Sequence, residues 1–244
     1  MKITLFTGGS GLLGKTMQEV FDGNALFPSS ETFNVTKFNH MYDFLNKLDR
    51  EETTVGTLVH VAALTSPPRV EENSMLALET NIIGTANIVK LCHSRGIRLV
   101  YISTDYVFSG ENAPYSEDDP VCPVNKYAIS KLGGECAVRL YDKHVIIRLS
   151  FGQNEFPYPA AYIDQWTSRL PVKEIAPKLI RIIKSDFIGT MHVGSRPRTV
   201  YDYAKSISPD KDIKEISIKD SKIKVPRDTS LNTSKFDAFI AGGW

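Results

Sequence analysis

Tyr127 and Lys131, four residues apart, are the pair whose types and spacing most directly suggest chemistry. On a helix, positions i and i+4 share one face about a turn apart. An ammonium beside a phenol favours the phenolate, so this spacing predicts a tyrosine pKa below its ordinary value of about 10. A phenol tuned that way can hand a proton to a carbonyl oxygen as hydride arrives, or take one in the reverse direction. Thr104, at the end of an expected strand, adds a hydroxyl able to hold the same oxygen. The bland reading of the pair is a solvated helix face, and the surrounding chain has to decide between the two.

Positioning such a pair needs a strand to deliver Thr104 and a helix to carry Tyr127. Residues 98–102, Arg-Leu-Val-Tyr-Ile, read as a buried strand leading into Ser103-Thr104-Asp105, and residues 125–141 read as the helix. A second constellation opens the chain. The apolar run 3–6 is followed by Gly8, Gly11 and Gly14, then by Leu12, Leu13, Met17, Val20 and Phe21 at helical spacing. Strand, glycine turn and helix in that order form a dinucleotide cradle: the glycines permit a tight turn, close approach of a pyrophosphate and helix-on-strand packing. The helix N-terminus then presents free N–H groups to the phosphates. An ordinary glycine-rich turn is the competing reading.

The remaining pattern alternates strand and helix. Residues 25–27 and 33–36 are expected as short strands, 58–63 and 145–149 as buried ones, and 190–193 as a late return to the sheet. Helices are expected over 71–94, 170–183 and 200–207. Gly84 inside the first of these points to close packing, because glycine there costs about 1 kcal/mol relative to alanine. His60 reads as a packed strand residue. The fold class is therefore α/β, a Rossmann-type doubly wound parallel sheet over 1–150, with a smaller C-terminal part over 151–244 whose segment near 186–194 rejoins the sheet. In such sheets ligands bind outside the carboxyl ends of the strands, so the glycine turn, Ala62, Ala63, Thr104 and the Tyr127 helix should converge. An acid about 20 residues past the glycines would bind a ribose 2′-hydroxyl. Ser29, Ser30 and Glu31 stand there instead: the serines suit a 2′-phosphate, and Glu31 suits the hydroxyl.

Composition narrows the partners. The chain has 244 residues and a net charge of +1, which gives no electrostatic case for nucleic acid or an anionic membrane. Three cysteines lack metal-ligand or redox-pair spacing, and a reducing, cytoplasmic setting follows as the expectation. The acids Glu111, Glu117, Asp118 and Asp119 read as a solvated loop, and no metal site is expected. Residues 211–224 alternate lysine and isoleucine, as an edge strand does. Phe236, Phe239 and Trp244 are expected to pack onto the body.

Several motifs in fixed order carry a resemblance. Thr-Gly-x-x-Gly-x-x-Gly occupies 7–14, Asn-Val-Thr 34–36, His-x-Ala-Ala-x-Thr 60–65, Asn-x-x-Gly-Thr 81–85, Ser-Thr-Asp-Tyr-Val-Phe 103–108 and Tyr-x-x-x-Lys 127–131. Together they resemble the extended short-chain dehydrogenase/reductase family, and within it the dTDP-4-dehydrorhamnose reductase (RmlD-like) branch. The resemblance implies NADP(H), or alternatively NAD(H), as cofactor and a nucleotide-linked keto-deoxysugar as substrate. It implies Thr104, Tyr127 and Lys131 as the catalytic set. It places Gly8, Ser10, Gly11, Leu12, Leu13, Gly14, Ser29, Ser30, Asn34, Val35, Ala62, Ala63, Thr65, Asn81 and Ser103 at the cofactor, with Tyr127 and Lys131. Asp105 and Phe151 would border the sugar with Thr104, and 151–244 would be a small, reduced substrate-binding part. Two departures stand out. Asn34 replaces the usual acid, and little more than a proline-rich loop separates Gly152 from Asp164-Gln165-Trp166-Thr167-Ser168-Arg169. A shortened substrate side predicts an open, wet sugar site unless a homodimer or a covering partner closes it. A second class of function is a regulatory or binding subunit on the same fold, as the methionine adenosyltransferase beta subunit is. An epimerase or dehydratase is a further alternative.

Overall fold

The computed structural model describes residues 1–242; Trp244 lies outside the described residues. Alternation of side chains explains the layers. The strands β1 (Lys2–Thr7), β3 (Thr54–His60), β4 (Arg98–Ile102) and β5 (His144–Leu149) bury residues on both faces, most continuously in β4 and β5. Successive residues point to opposite faces. Thus Phe6, Val100, Ile102, Val145 and Ile147 enter one core, with Leu13 and Met17 of α1 (Leu12–Val20) and Ile175, Leu179 and Ile182 of α7 (Val172–Ile183). Leu5, Leu99, Tyr101 and Ile146 enter the other, with Met41 and Leu45 of α2 (Phe38–Arg50), Ile88 and Leu91 of α5 (Gly84–Arg95) and Val138 of α6 (Lys126–Val138).

With the two-residue β2 (Ala25–Leu26) and β10 (Gly189–Val193), the six parallel strands run in the order β10-β5-β4-β3-β1-β2. Val193 of β10 pairs opposite Leu149. The order reverses between β1 and β3, so a crevice opens there, at the strands' carboxyl ends. Three short pairs build the smaller part: β6 (Phe151–Gly152) with β9 (Leu170–Pro171), β7 (Ala160–Tyr162) with β12 (Lys214–Ile216), and β8 (Trp166–Thr167) with β11 (Arg198–Thr199). Tyr203 and Ala204 of α8 (Val200–Ile207) pack there against Phe156, Ala161 and Ile213. Phe236 of α9 (Ser234–Ile240) is buried in the main core, with Phe239 against it. Among the described residues no helix is long and apolar enough to cross a membrane.

Four local expectations fail for identifiable reasons. Residues 33–36 form a turn, because Asn34 Oδ1 accepts from Thr36 N at 3.0 Å and Thr36 Oγ1 at 2.8 Å and so bends the backbone away from a ladder. The helix expected over 71–94 is broken into α3 (Pro67–Glu72), α4 (Ser74–Ala77), a π-helical turn (Leu78–Ile83) and α5. Asn73 caps α4, accepting from Leu76 N, and Gly84 lies where a Cβ would stand 2.9 Å from Val35 Cγ2. The 109–123 loop is only partly solvated, since Glu117 Oε1 accepts from His192 N at 2.9 Å and Asp119 from Ser116 N at 2.7 Å. Of 211–224, only Lys214–Ile216 is strand, at the edge beside β7.

Two buried histidines make the fold acid-sensitive. Both ring nitrogens of His60 are engaged, Nδ1 by Thr7 Oγ1 at 2.8 Å and Nε2 by Thr85 Oγ1 at 3.0 Å. Burial, helped by the charge of Lys131, lowers its pKa to about 3, and burial with the Arg148 charge does the same for His192. Between about pH 3 and 6.5 the unfolded chain therefore binds protons that the folded chain refuses. This contribution is complete above about pH 6.5 and is lost as pH falls, by about 1.4 kcal/mol per pH unit for each ring. Asp105, raised to about 6, acts in the opposite sense between about pH 3.8 and 6, one group against two. The urea midpoint is expected to fall steadily from pH 7 to pH 4, with a shallower slope in His192→Asn. A flat profile would contradict neutral burial of these rings.

Candidate active site

The glycine turn is dictated by contact distances. A Cβ on Gly14 would stand 2.2 Å from Gly8 O, and one on Gly8, at φ +72°, would stand 2.8 Å from Ala62 N. α1 is thereby held against β1, and the turn against the end of β3. Gly11 is different. A Cβ there would meet only Gly8 O, at 3.4 Å, so its other side is open to the crevice. It is the N-cap residue of α1, without a side-chain cap, and the first turn holds no acid. The helix N-terminus is left with N–H groups and positive potential for an anion.

β4 delivers Ser103, Thr104 and Asp105 to the same crevice, and Asn125 caps the helix opposite, its Oδ1 accepting from Ala128 N at 2.9 Å. The crevice measures about 1040 Å³. Gly8, Ser10, Gly11, Leu12, Leu13, Ser29, Ser30, Asn34, Val35, Ala62, Ala63 and Thr65 line one end; Ser103, Thr104, Asp105, Tyr127 and Phe151 line the other. Three expected residues stay behind its wall. Gly14 is a packing position. Asn81 spends its amide on Leu64 N at 2.8 Å, Leu64 O at 3.0 Å and Ser130 Oγ at 2.9 Å, fixing the loop after β3 against α6. Lys131 is buried: Nζ donates to Ile102 O at 2.8 Å and lies 4.2 Å above the ring of Tyr101.

The direction of Lys131 changes the electrostatics expected from spacing. Burial lowers its own pKa to about 7, against the pull of Glu135. Tyr127 is raised above its ordinary value, chiefly by desolvation, although its ring is only half-buried. The neighbouring Thr104 hydroxyl and the Arg169 charge work the other way. Sharing a helix face does not make the ammonium a neighbour of the phenol when a strand-end carbonyl claims it. The phenol is accordingly a protonated group, suited to donating.

Beneath the site lies a buried ion pair. Arg148 Nη2 and Glu135 Oε2 are 2.8 Å apart, and both side chains are essentially inaccessible. Glu135 Oε1 also accepts from Ser103 Oγ at 2.6 Å, and Arg148 Nη1 donates to Glu117 O at 3.2 Å. The end of β4 is tied through this pair to β5, α6 and the 109–123 loop.

Phe156, Pro157, Tyr158, Arg169 and Tyr203 also line the crevice, and Pro157 and Tyr158 are exposed at its rim, as an open site predicts. Arg169 Nε donates to Ser150 Oγ at 3.0 Å, and Gln165 Nε2 to Tyr106 OH at 2.9 Å and to Pro226 O at 3.1 Å. Sequence reasoning did not assign Tyr106, Gln165 or Arg169 to the site. The run 164–169 is motif-like in the sequence, and its nearness to Asp105 and Tyr106 is a tertiary fact.

A switch-point crevice, a glycine turn at an uncapped helix start and a phenol beside strand-end hydroxyls mark a Rossmann-type, doubly wound α/β protein. The family model described as "RmlD substrate binding domain" matches residues 1–155, and the chain belongs to that family. It is 28% identical to methionine adenosyltransferase 2 subunit beta of Pongo abelii, over 98% of this chain and 82% of that protein. It is also 28% identical to a dTDP-4-keto-6-deoxy-D-glucose reductase of Streptomyces niveus, over 82% of this chain and 76% of that one. In fold it is similar to a dTDP-4-dehydrorhamnose reductase of Bacillus anthracis solved in complex with NADP, with a TM-score of 0.88 at 24% identity, covering 99% of this chain and 94% of that one.

Proposed function

We propose that this protein is an NADP(H)-dependent reductase of a keto group on a nucleotide-linked deoxysugar. The observation that carries the reading is that Thr104, Asp105 and Tyr127 share one crevice with the glycine turn. The residues fit a dinucleotide: the open side of Gly11 and the uncapped start of α1 suit a pyrophosphate. Gly8, Ser10, Leu12 and Leu13 would hold it with Gly11. Asn34 and Val35 would border the adenine, Ala62, Ala63 and Thr65 the middle, and Ser103 and Tyr127 the nicotinamide ribose end, with Lys131 bracing the end of β4 behind them. When bound, the reduced cofactor supplies the hydride. The chain's own part is to orient the sugar, exclude water and deliver a proton. Tyr127 gives its phenol proton to the carbonyl oxygen, Thr104 holds that oxygen, and Asp105, Phe151 and the wall around Arg169 fix the ring. Oxidation of NADPH in the presence of a panel of 4-keto-6-deoxy nucleotide sugars, with product identification, tests the reading.

Ser29 and Ser30 are exposed at the adenine end, and no acid among the lining residues there repels a phosphate. NADPH is expected to bind at least as tightly as NADH in calorimetric titration. A clear preference for NADH would remove the serine argument and point to Glu31.

Similarity to methionine adenosyltransferase beta subunits along almost the whole chain favours a second reading, a regulatory subunit on the same fold. That reading requires no turnover in the parent protein and no functional penalty for Tyr127→Phe.

A further inference from the structure

Both carboxyl oxygens of Asp105 are engaged by threonine hydroxyls. Thr229 Oγ1 donates to Oδ2 at 2.6 Å, and Thr104 Oγ1 donates to Oδ1 at 3.2 Å. Thr229 arrives from the far end of the chain, on a stretch braced by Thr229 N to Trp166 O at 3.1 Å and Leu231 N to Ser168 Oγ at 3.0 Å. All three side chains are buried, yet Thr104 and Asp105 line the crevice.

The count of protons matters here. A hydroxyl has one proton, and an ionised carboxylate can only accept. While Asp105 is charged, the Thr104 proton is committed to Oδ1, and the Thr104 oxygen accepts from Tyr106 N at 3.2 Å. In that state Thr104 has nothing to donate to a substrate carbonyl. Once Asp105 is protonated, its own O–H can serve the Thr104 oxygen, and the Thr104 proton is free to turn towards Tyr127 and the substrate.

The geometry points to a switch in which the ionisation of Asp105, held by Thr229, decides whether Thr104 donates into the crevice or away from it. Thr229 is then a positioning residue, acting through Asp105, and the inference rests on the reductase reading for its effect on turnover. The groups facing Asp105 are consistent with a carboxyl that titrates in the working range. Burial raises its pKa to about 6, while the Thr229 bond, the Arg169 charge and the Thr104 bond lower it. Tyr106 on its own turn and Tyr127 on α6 are the other titratable neighbours. Lys131 is turned to Ile102 O, and Glu135 is occupied by Arg148 and Ser103.

The test is the pH profile of kcat/KM for the parent, Thr229→Val, Thr229→Ser and Asp105→Asn, with NADPH and a 4-keto-6-deoxy nucleotide sugar. The parent should lose about tenfold per pH unit above the Asp105 midpoint. Thr229→Val removes a bond that favours the carboxylate, so the falling limb should move to higher pH. At about pH 8 the variant should then exceed the parent by twofold or more. Thr229→Ser should keep the parent's limb, and Asp105→Asn should have none. A merely structural brace would lower activity at every pH without moving the limb, and that result overturns the inference. A 13C titration of the Asp105 carboxyl in the full chain reads the same shift without turnover. A raised midpoint in Thr229→Val with no turnover in any variant would sink the reductase reading alone. An unmoved midpoint would sink the switch whatever the turnover.

Discussion

Tyr127→Phe is expected to reduce turnover by about 10²–10⁴-fold, the usual worth of a positioned general acid. The substitution removes one oxygen and leaves the ring, which packs edge-on against Tyr106 with centroids 6.2 Å apart. The phenol makes no hydrogen bond that holds an element in place, so the urea midpoint should hardly move. Cofactor affinity should also survive, because the glycine turn and the serines at the adenine end are untouched. Single-turnover kinetics with NADPH would isolate the loss in the chemical step. Lys131→Ala should behave differently. Its ammonium bonds the carbonyl at the end of β4, so turnover, cofactor affinity and local stability should fall together. Equal activity in Tyr127→Phe and the parent would show that another group donates the proton.

Arg148→Leu is expected to cost about 3–5 kcal/mol of stability, because it strands Glu135 as a buried charge with Ser103 as its remaining donor. Against a total of about 5–15 kcal/mol for an ordinary domain, that is a large fraction. The damage should reach the site, since Ser103 hangs from Glu135 and Thr104 follows it. The double variant Arg148→Leu/Glu135→Leu removes both charges and should recover much of the loss. Denaturant unfolding of the two single variants and the double variant measures the coupling. A single variant that lost less than about 1 kcal/mol would mean that water reaches the pair and screens it.

Much of the fold follows from local pattern. Short runs rich in apolar residues, such as residues 99–102 and 145–147, suit strands covered on both faces, and helices between them suit parallel strands. The glycine turn is legible because a missing side chain is a local property, and the backbone distances at Gly8 and Gly14 show why no other residue fits. The helix of Tyr127 begins at a capping asparagine for an equally local reason. Where local side chains compete with the ladder, pattern misleads: Asn34 turns the chain at the place where a strand is expected. The direction of a long side chain is also beyond spacing. Lys131 shares a helix face with Tyr127, yet its ammonium goes to whichever acceptor the packed sheet presents, and that acceptor is Ile102 O.

What only the tertiary structure decides is which distant residues complete the site. Thr229 bonds Asp105 across 124 positions of sequence, and Gln165 reaches Tyr106 across 59. The sequence alone determines an α/β scaffold with a glycine turn and a phenol at a strand-end crevice, because backbone sterics and hydrophobic periodicity are written residue by residue. The charge state of that crevice is set by burial and by hydroxyl partners that meet only when the chain's far end folds back over it. Those contacts carry no periodicity and no spacing rule, and desolvation has no meaning until the surrounding layers have closed.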